Sequence, residues 1–405
     1  MINHSFFDTQ SFDRMVQHYH DAGYTGYPRV LNYEQFDRLY PQASKANLHE
    51  RSEKLRRAGG LRQCYLISSS GTTASPLVVA SDYAVGELRD AYSLEIRRFL
   101  GQRVFSSRDV VANLLVPGGF GCLYEGFSRL LEPIGCTLLP VGRLDAQDCP
   151  QTCLQICRDA GVSALLATPG GIIQAAHWAV QAHVKLDIRK VIYIGEAFSA
   201  AKQHYIRTVW PNAAFYGLYG NTEVGLVGVS TPQHPPGHYD FLSKWVLAEV
   251  DEQGKLYLSD LKAPRVPVLR YDTGDLATLL PTSNPRVGTL VLHGRSDKSF
   301  NFCGNLLSLS QVSETIWQRC GQPFALQLTL SSGDAGRDHL CVTGDLTHFT
   351  DAQTARADIE SALMAMPALA EGLRRGVATI QVEPDAAFWV SAREKVPTLR
   401  DLRQT

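Results

Sequence analysis

Ser163-Ala164-Leu165-Leu166-Ala167-Thr168, Lys190-Val191-Ile192-Tyr193-Ile194-Gly195 and Ala213-Ala214-Phe215-Tyr216-Gly217-Leu218-Tyr219 are three short apolar runs. Two segments of helix length, 170–183 and 199–210, lie between them. Runs of this length without polar alternation suit strands buried on both faces. Their alternation with helices predicts an α/β fold built on a mostly parallel, doubly wound sheet. The pattern extends toward the N-terminus, with strands expected at 109–116 and 136–141 and a helix at 150–160. In such folds ligands occupy crevices beyond the carboxyl ends of the strands, so the turns after these runs are where chemistry is expected.

The pattern changes after Gly237. Residues 245–250 and 255–260 flank the turn Asp251-Glu252-Gln253-Gly254 and read as a β-hairpin. Residues 267–271 and 289–293 add two more strands to this β subdomain. A compact α+β tail follows, with helices expected at 311–319 and 352–366 and strands at 324–330, 339–343 and 377–382. The segment before residue 60 reads as helices with a turn at 23–28. With 405 residues, the chain exceeds the size of a single core. Two domains are expected, a large one at 1–296 and a small mobile one at 297–405.

Composition excludes several classes. Hydrophobic content of 44% and charged content of 20% are those of an ordinary globular protein. A formal net charge of −1 gives no footprint for nucleic acid or an anionic membrane. The first ten residues contain an acid and no sustained apolar run, so they do not read as a signal peptide. No uninterrupted run of membrane-spanning length occurs either, and the expectation is a cytoplasmic protein. The nine cysteines are too few and too irregular for a disulfide scaffold. Cys149, Cys153 and Cys157 share one side of a helix; without a CxxC pair or a nearby histidine they read as buried thiols rather than metal ligands.

Four constellations carry chemistry. Ser68-Ser69-Ser70-Gly71-Thr72-Thr73-Ala74-Ser75-Pro76 follows an apolar run. It is either a plain polar loop or a nest of amides and hydroxyls for phosphate oxygens. No Gly-Lys-Ser/Thr follows, so it is not a Walker A loop. Tyr219-Gly220-Asn221-Thr222-Glu223 sets an aromatic, a glycine and a hydroxyl–carboxylate pair at a strand end, suited to a base, a close backbone approach and Mg²⁺. Arg270-Tyr271-Asp272-Thr273-Gly274-Asp275 places a carboxylate after a glycine turn, where it can accept from both ribose hydroxyls. Gly294-Arg295-Ser296-Asp297 falls at the domain boundary.

In this order and spacing, the motifs resemble those of the adenylate-forming superfamily, most closely its phenylacetate–CoA ligase branch. The resemblance runs from about Cys64 to Lys395. It implies that Ser69, Ser70, Gly71, Thr72 and Thr73 form the phosphate loop and that Gly195, Glu196 and Ala197 flank adenine. It implies Tyr219, with Gly220 and Asn221, on the adenine face, Thr222 near the α-phosphate and Glu223 on Mg²⁺. Asp275 and Arg295 are implied as ribose ligands, and Asp297 as the hinge. Leu115-Val116-Pro117-Gly118-Gly119-Phe120-Gly121 resembles the glycine-rich stretch before an acyl-pocket helix, which places Gly118, Gly119, Phe120, Tyr124 and Thr168 around the acid. Gly217 stands where many relatives carry Asn or Asp near adenine, leaving base selection to the backbone. Glu394-Lys395 is similar to the segment holding the catalytic lysine, and Lys395 is the only lysine after Lys298.

The implied activity is ATP-dependent, AMP-forming ligation. A carboxylic acid, aromatic or arylacetic, is adenylated and its acyl group passed to a thiol such as coenzyme A. A carrier-protein phosphopantetheine and an amine are the alternative acceptors, and a non-catalytic nucleotide-binding relative is the alternative outside enzymology. The sequence leaves a homodimer open.

Overall fold

The computed structural model describes residues 3–21, 26–60, 62, 64–68, 78–82, 87–118, 121–144, 147–195, 198, 200–282, 284–295, 299–302, 305–332, 338–347, 349–374, 378–384, 387–389 and 398–402. Strands β1 (Asn3–His4), β2 (Cys64–Ser68) and β3 (Val78–Asp82) precede β4 (Val110–Asn113), β5 (Thr137–Leu139), β6 (Ala164–Ala167), β7 (Lys190–Ile194) and β8 (Ala214–Asn221). Then come β9 (Gly225–Ser230), β10 (His238–Leu242), β11 (Val246–Val250), β12 (Lys255–Asp260), β13 (Tyr271–Leu280) and β14 (Val287–Arg295). One twelve-stranded sheet has the order β1-β11-β12-β13-β14-β10-β9-β8-β7-β6-β4-β5. β4 to β8 pair in parallel, as their apolar runs require. β8 is the seam, parallel to β7 on one side and antiparallel to β9 on the other.

The chain falls into two compact units. The first comprises Met1–Thr168, Leu186–Ala197 and Ala214–Gly294. Its sheet buries a different core on each face. Leu100, Leu166, Ile192, Leu218 and Val229 belong to one core, where α4 (Glu87–Arg103) and α5 (Leu123–Leu131) pack. Val227, Tyr239 and Phe241 belong to the other, which Ile67 and Val79 of the antiparallel β2–β3 pair complete. Before β2 lie α1 (Thr9–Asp21), α2 (Tyr33–Leu39) and α3 (Lys45–Arg57). Asn32 caps α2 by accepting from the Gln35 amide, and Ser44 with Asn47 forms a capping box on α3. Phe12, Phe36 and Tyr40 of this segment bury against Leu247, Leu261 and Leu269.

Arg270 joins that segment to the sheet. Its guanidinium is buried, with Nε 3.0 Å from the Glu249 carboxylate and Nη2 2.7 Å from Asp37. Nη1 donates to the Tyr40 carbonyl at 2.8 Å. The Tyr33 hydroxyl donates to Glu249 at 2.7 Å. Burial pushes the Glu249 carboxyl up, against the opposing pull of Arg270. Ala43 bridges to Tyr271 in parallel, its amide donating to the Arg270 carbonyl and its carbonyl accepting from Asp272. The strand expected at 267–271 is absent: Arg270 has φ +49°, a left-handed conformation that no strand continues through, so β13 begins only at Tyr271.

The second unit comprises Pro169–Lys185, Phe198–Ala213 and Arg295–Thr405. It contains α7 (Pro169–Gln181) and α8 (Ala200–Val209), whereas α6 (Pro150–Asp159) belongs to the first unit. β15 (Ser299–Phe302) and β16 (Asn305–Ser308) pair with each other, ahead of α9 (Leu309–Cys320). β17 (Leu326–Ser332), β18 (Asp338–Gly344), β19 (Ala378–Pro384) and β20 (Leu399–Asp401) make a four-stranded sheet in the order β19-β18-β17-β20. Val312 and Ile316 of α9 bury against this sheet with residues of α10 (Ala352–Ala365) and α11 (Pro367–Arg374). The Asp351 side chain caps α10 by accepting from the amides of Gln353 and Thr354. No helix among the described residues is long and apolar enough to cross a membrane.

The cysteine file on α6 is graded rather than uniformly buried. Cys157 is buried and its thiol is pushed up to about 11 by burial. Cys149, expected inside, is exposed because it is the residue that precedes the helix. Its sulfur accepts from the Thr152 hydroxyl at 3.0 Å, which lowers its thiol below the usual range. Iodoacetamide at neutral pH is expected to label Cys149 before the other described cysteines, and Thr152→Val to slow that labelling, as followed by peptide mass. A second expectation concerns the buried pair. Arg270→Ala strands the Glu249 carboxylate and should cost about 3–5 kcal/mol, read as a fall in the urea midpoint. Arg270→Lys should restore only part of it, since one ammonium cannot reproduce the guanidinium fork.

Candidate active site

β8 delivers the first cluster. Its pairing with β9 slips between Tyr219 and Gly220. A Cβ on Gly220 would lie 2.5 Å from the Gly225 carbonyl oxygen, so the chain can turn here only on glycine. Asn221 then accepts from the Val224 amide at 2.7 Å, which closes the turn carrying Thr222 and Glu223. The Asn221 Nδ2 is buried and has no hydrogen-bond partner among the described residues. A buried amide donor left in this way is costly unless a ligand oxygen meets it.

β13 delivers the second. Asp275 follows Gly274 at an irregularity inside β13. Tyr257 pairs with Asp272 while Lys255 pairs with Leu276, so extra residues bulge from β13, and Gly274 takes φ +71°. The bulge is held by the Gly274 amide on Asp272 at 2.9 Å and the Asp275 amide on the Thr273 hydroxyl at 3.1 Å.

Two hydrogen bonds join the clusters. The Tyr219 hydroxyl donates to Asp275 Oδ2 at 2.6 Å, across 56 residues of sequence. The Tyr271 hydroxyl donates to Glu223 Oε1 at 3.1 Å. The sequence had singled out Asp275 and Glu223 but not Tyr271 as a partner; nothing in local spacing marks a contact between residues so far apart.

The face carrying Tyr219 holds two further tyrosines. Tyr193 on β7 pairs with Gly217 on β8, and Gly217 pairs with Ser230 on β9. Tyr193 and Tyr239 both reach over Gly217, where a Cβ would meet each of them, and burial raises both phenols. The Tyr239 ring is tilted against that of Tyr219, with centroids 5.8 Å apart.

At the carboxyl ends of β6 and β7, the structure brings Thr168 and Gly195 together; a Cβ on Gly195 would stand 3.8 Å from the Thr168 methyl. Gly118 takes φ +73° and its amide donates to Glu125 at 3.2 Å. Tyr124 packs half-buried on the core of the parallel strands, and its carbonyl accepts from Asn113. Ser69, Ser70, Gly71, Thr72, Thr73, Gly119, Phe120, Glu196, Ala197, Asp297 and Lys395 lie outside the described residues, and Arg295 is described only as the backbone end of β14. His293 and His238 make ordinary contacts, to Thr278 and to the Pro236 carbonyl.

No model of a known protein family matches the chain. Among solved structures it matches 2-hydroxyisobutyryl-CoA ligase in the postadenylation state in complex with 2-HIB-AMP. That match has a TM-score of 0.70 and 16% identity, over 98% of this chain and 87% of the other. The fold is that of the adenylate-forming ligases. In sequence, the chain is 27% identical over 299 residues to indoleacetate–lysine synthetase of Pseudomonas savastanoi, 73% of this chain and 74% of that protein. It is 26% identical over 274 residues to phenylacetate–coenzyme A ligase of Pseudomonas putida, 62% of this chain and 59% of that protein.

Tyr219→Phe keeps the ring and removes only the bond to Asp275. A hydrogen bond to a charged group contributes about 1.5–3 kcal/mol, so the variant should lose about that much folding stability. Urea unfolding of the two proteins, read at their midpoints, checks this.

Proposed function

We propose that this chain is an ATP-dependent, AMP-forming ligase that adenylates a carboxylic acid, aromatic or arylacetic, and transfers the acyl group to a thiol such as coenzyme A. The observation that carries the proposal is the Tyr219–Asp275 hydrogen bond, which makes one site of two motifs far apart in sequence. Asp275 takes the ribose hydroxyls, Tyr219 lies against the base, and Thr222 with the orphaned Asn221 amide meets phosphate oxygens. Ser69, Ser70, Gly71, Thr72 and Thr73 complete the phosphate contacts. Gly118, Gly119, Phe120, Tyr124 and Thr168 border the acid, and Gly195, Glu196 and Ala197 border the nucleotide.

Glu223 suits Mg²⁺. It is a hard anionic ligand with one oxygen oriented by Tyr271, and no group of three His, Cys, Asp or Glu competes among the described residues. Mg²⁺ commonly takes one or two carboxylates and completes its shell with water and substrate phosphates. When bound, it supplies neutralisation of phosphate charge. In the first step a carboxylate oxygen bonds to the α-phosphorus and the bond to pyrophosphate breaks. The Lys395 ammonium stabilises the charge that spreads in that displacement. In the second step the thiolate attacks the acyl carbon and AMP leaves. Movement of residues 297–405 about Asp297, with Arg295 on the ribose, exchanges Lys395 for the acceptor.

A second reading has an amine as acceptor, giving an amide. The match to indoleacetate–lysine synthetase favours it, being longer and covering more of both proteins than the match to phenylacetate–coenzyme A ligase.

The test is pyrophosphate release from ATP over a panel of aromatic, arylacetic, aliphatic and amino acids, followed by coenzyme A or lysine as acceptor. Aryl or arylacetic acids should turn over, and Glu223→Gln should abolish most of that rate. Lys395→Ala should damage adenylation and spare transfer from supplied acyl-adenylate. No pyrophosphate with any acid, or a near-parental rate for Glu223→Gln, would sink the assignment.

A further inference from the structure

The α+β tail builds its hydrophobic core from residue 300 onward, and among the described residues no member of α7 or α8 belongs to that core. Yet α7 and α8, which run between β6, β7 and β8, form one compact unit with Arg295–Thr405. Helix and tail therefore meet without sharing an apolar core.

The Lys202 ammonium of α8 joins them, 4.7 Å from the centroid of the Trp317 ring of α9. Lys202 is 9% exposed and Trp317 8%. The indole is fastened within the tail, its Nε1 donating to the Phe324 carbonyl at 3.0 Å, so its face is presented in a fixed direction. A buried ammonium is costly without a counter-group, and among aromatic rings the face of Trp attracts a cation best. Such a contact also suits repeated making and breaking. Once parted, the ammonium is rehydrated at the end of its flexible stem and the indole stays fastened in the tail. Two parted leucines would instead leave two apolar surfaces in water.

On the ligase reading above, the tail takes two positions, one for each half-reaction. We infer that Lys202 is a positioning residue for this reaction: its ammonium on Trp317 latches the tail against α8 and so sets how the two positions are populated.

The two half-reactions, measured separately on the full chain, test this. Lys202→Met keeps the apolar stem and removes the charge. Pyrophosphate release and transfer from supplied acyl-adenylate should then move in opposite directions, because weakening one position raises the population of the other. Their ratio should change about five- to thirtyfold, the cation–π range read as a ratio of populations. Lys202→Arg, which keeps a cation able to stack on the ring, should stay near parental. Two rates that fall together, or a Lys202→Met protein with the parental ratio, would leave Lys202 a packing residue and overturn the inference. Acetylation by an amine-reactive ester, followed by peptide mass, reads the same contact without turnover. In the parent, Lys202 should react far more slowly than the exposed Lys54, and in Trp317→Leu at a rate close to that of Lys54. Continued protection of Lys202 in Trp317→Leu overturns the latch. Should Trp317→Leu fail to melt cooperatively, Trp317→Phe decides, with a faster rate expected and the parental rate overturning the latch. A parent that releases no pyrophosphate refutes the ligase reading, and the labelling arm then decides the Lys202–Trp317 latch by itself.

Discussion

Arg270 and Glu249 sit in an interior where the first residue is 3% exposed and the second has no exposure at all. Desolvation of two charges is large, so such a pair leans on further donors and acceptors. Asp37, the Tyr40 carbonyl and the Tyr33 hydroxyl supply them from the N-terminal helices, while Glu249 Oε2 has no partner among the described residues. The residue after Arg270 is Tyr271, whose hydroxyl holds Glu223, and four residues further on stands Asp275. The placement of both carboxylates of the site is therefore tied to whether the first forty-odd residues are packed in place.

The sheet places its chemistry where its two halves meet. Parallel strands leave a crevice at their carboxyl ends, and β13 of the antiparallel half meets β8 there through the Asp275–Tyr219 hydrogen bond. Each half is regular except at the seam and the bulge, and these two irregularities carry Gly220 and Gly274. Regular pairing would have turned Tyr219 and Asp275 to fixed alternating faces; the slips allow a tyrosine and a carboxylate from non-adjacent strands to meet.

Local pattern made much of this legible. β6, β7 and β8 are apolar enough to be read without a partner, and the tail elements follow ordinary helix and strand periods. β9 and β10 were not read as separate strands because Gly225, Gly228 and the Pro235-Pro236-Gly237 break leave too few consecutive alternating residues. Tyr219, Glu223 and Asp275 were legible because residue type and spacing carry their chemistry. Arg270, Lys202 and Trp317 were not, since each matters through a partner on a distant element, and such a contact leaves no mark on a linear pattern. The break before β13 was misread for a related reason: Val266 to Leu269 are strand-like in type, but the left-handed Arg270 that follows is fixed by tertiary ion pairs.

The bridge between Ala43 and Tyr271 has a bearing on how the chain is made. Phe12, Phe36 and Tyr40 emerge from the ribosome early, yet the leucines that cover them, and the arginine that caps them, are translated more than 200 residues later. At about 5–20 residues per second, that interval is on the order of tens of seconds. Throughout it, an aromatic surface waits without its cover on a nascent chain whose local helices cannot hide it. The N-terminal helices stay uncovered until residue 270 has cleared the exit tunnel, and because that interval shortens as elongation quickens, a slow-elongating host should return more of the protein as aggregate than a fast one.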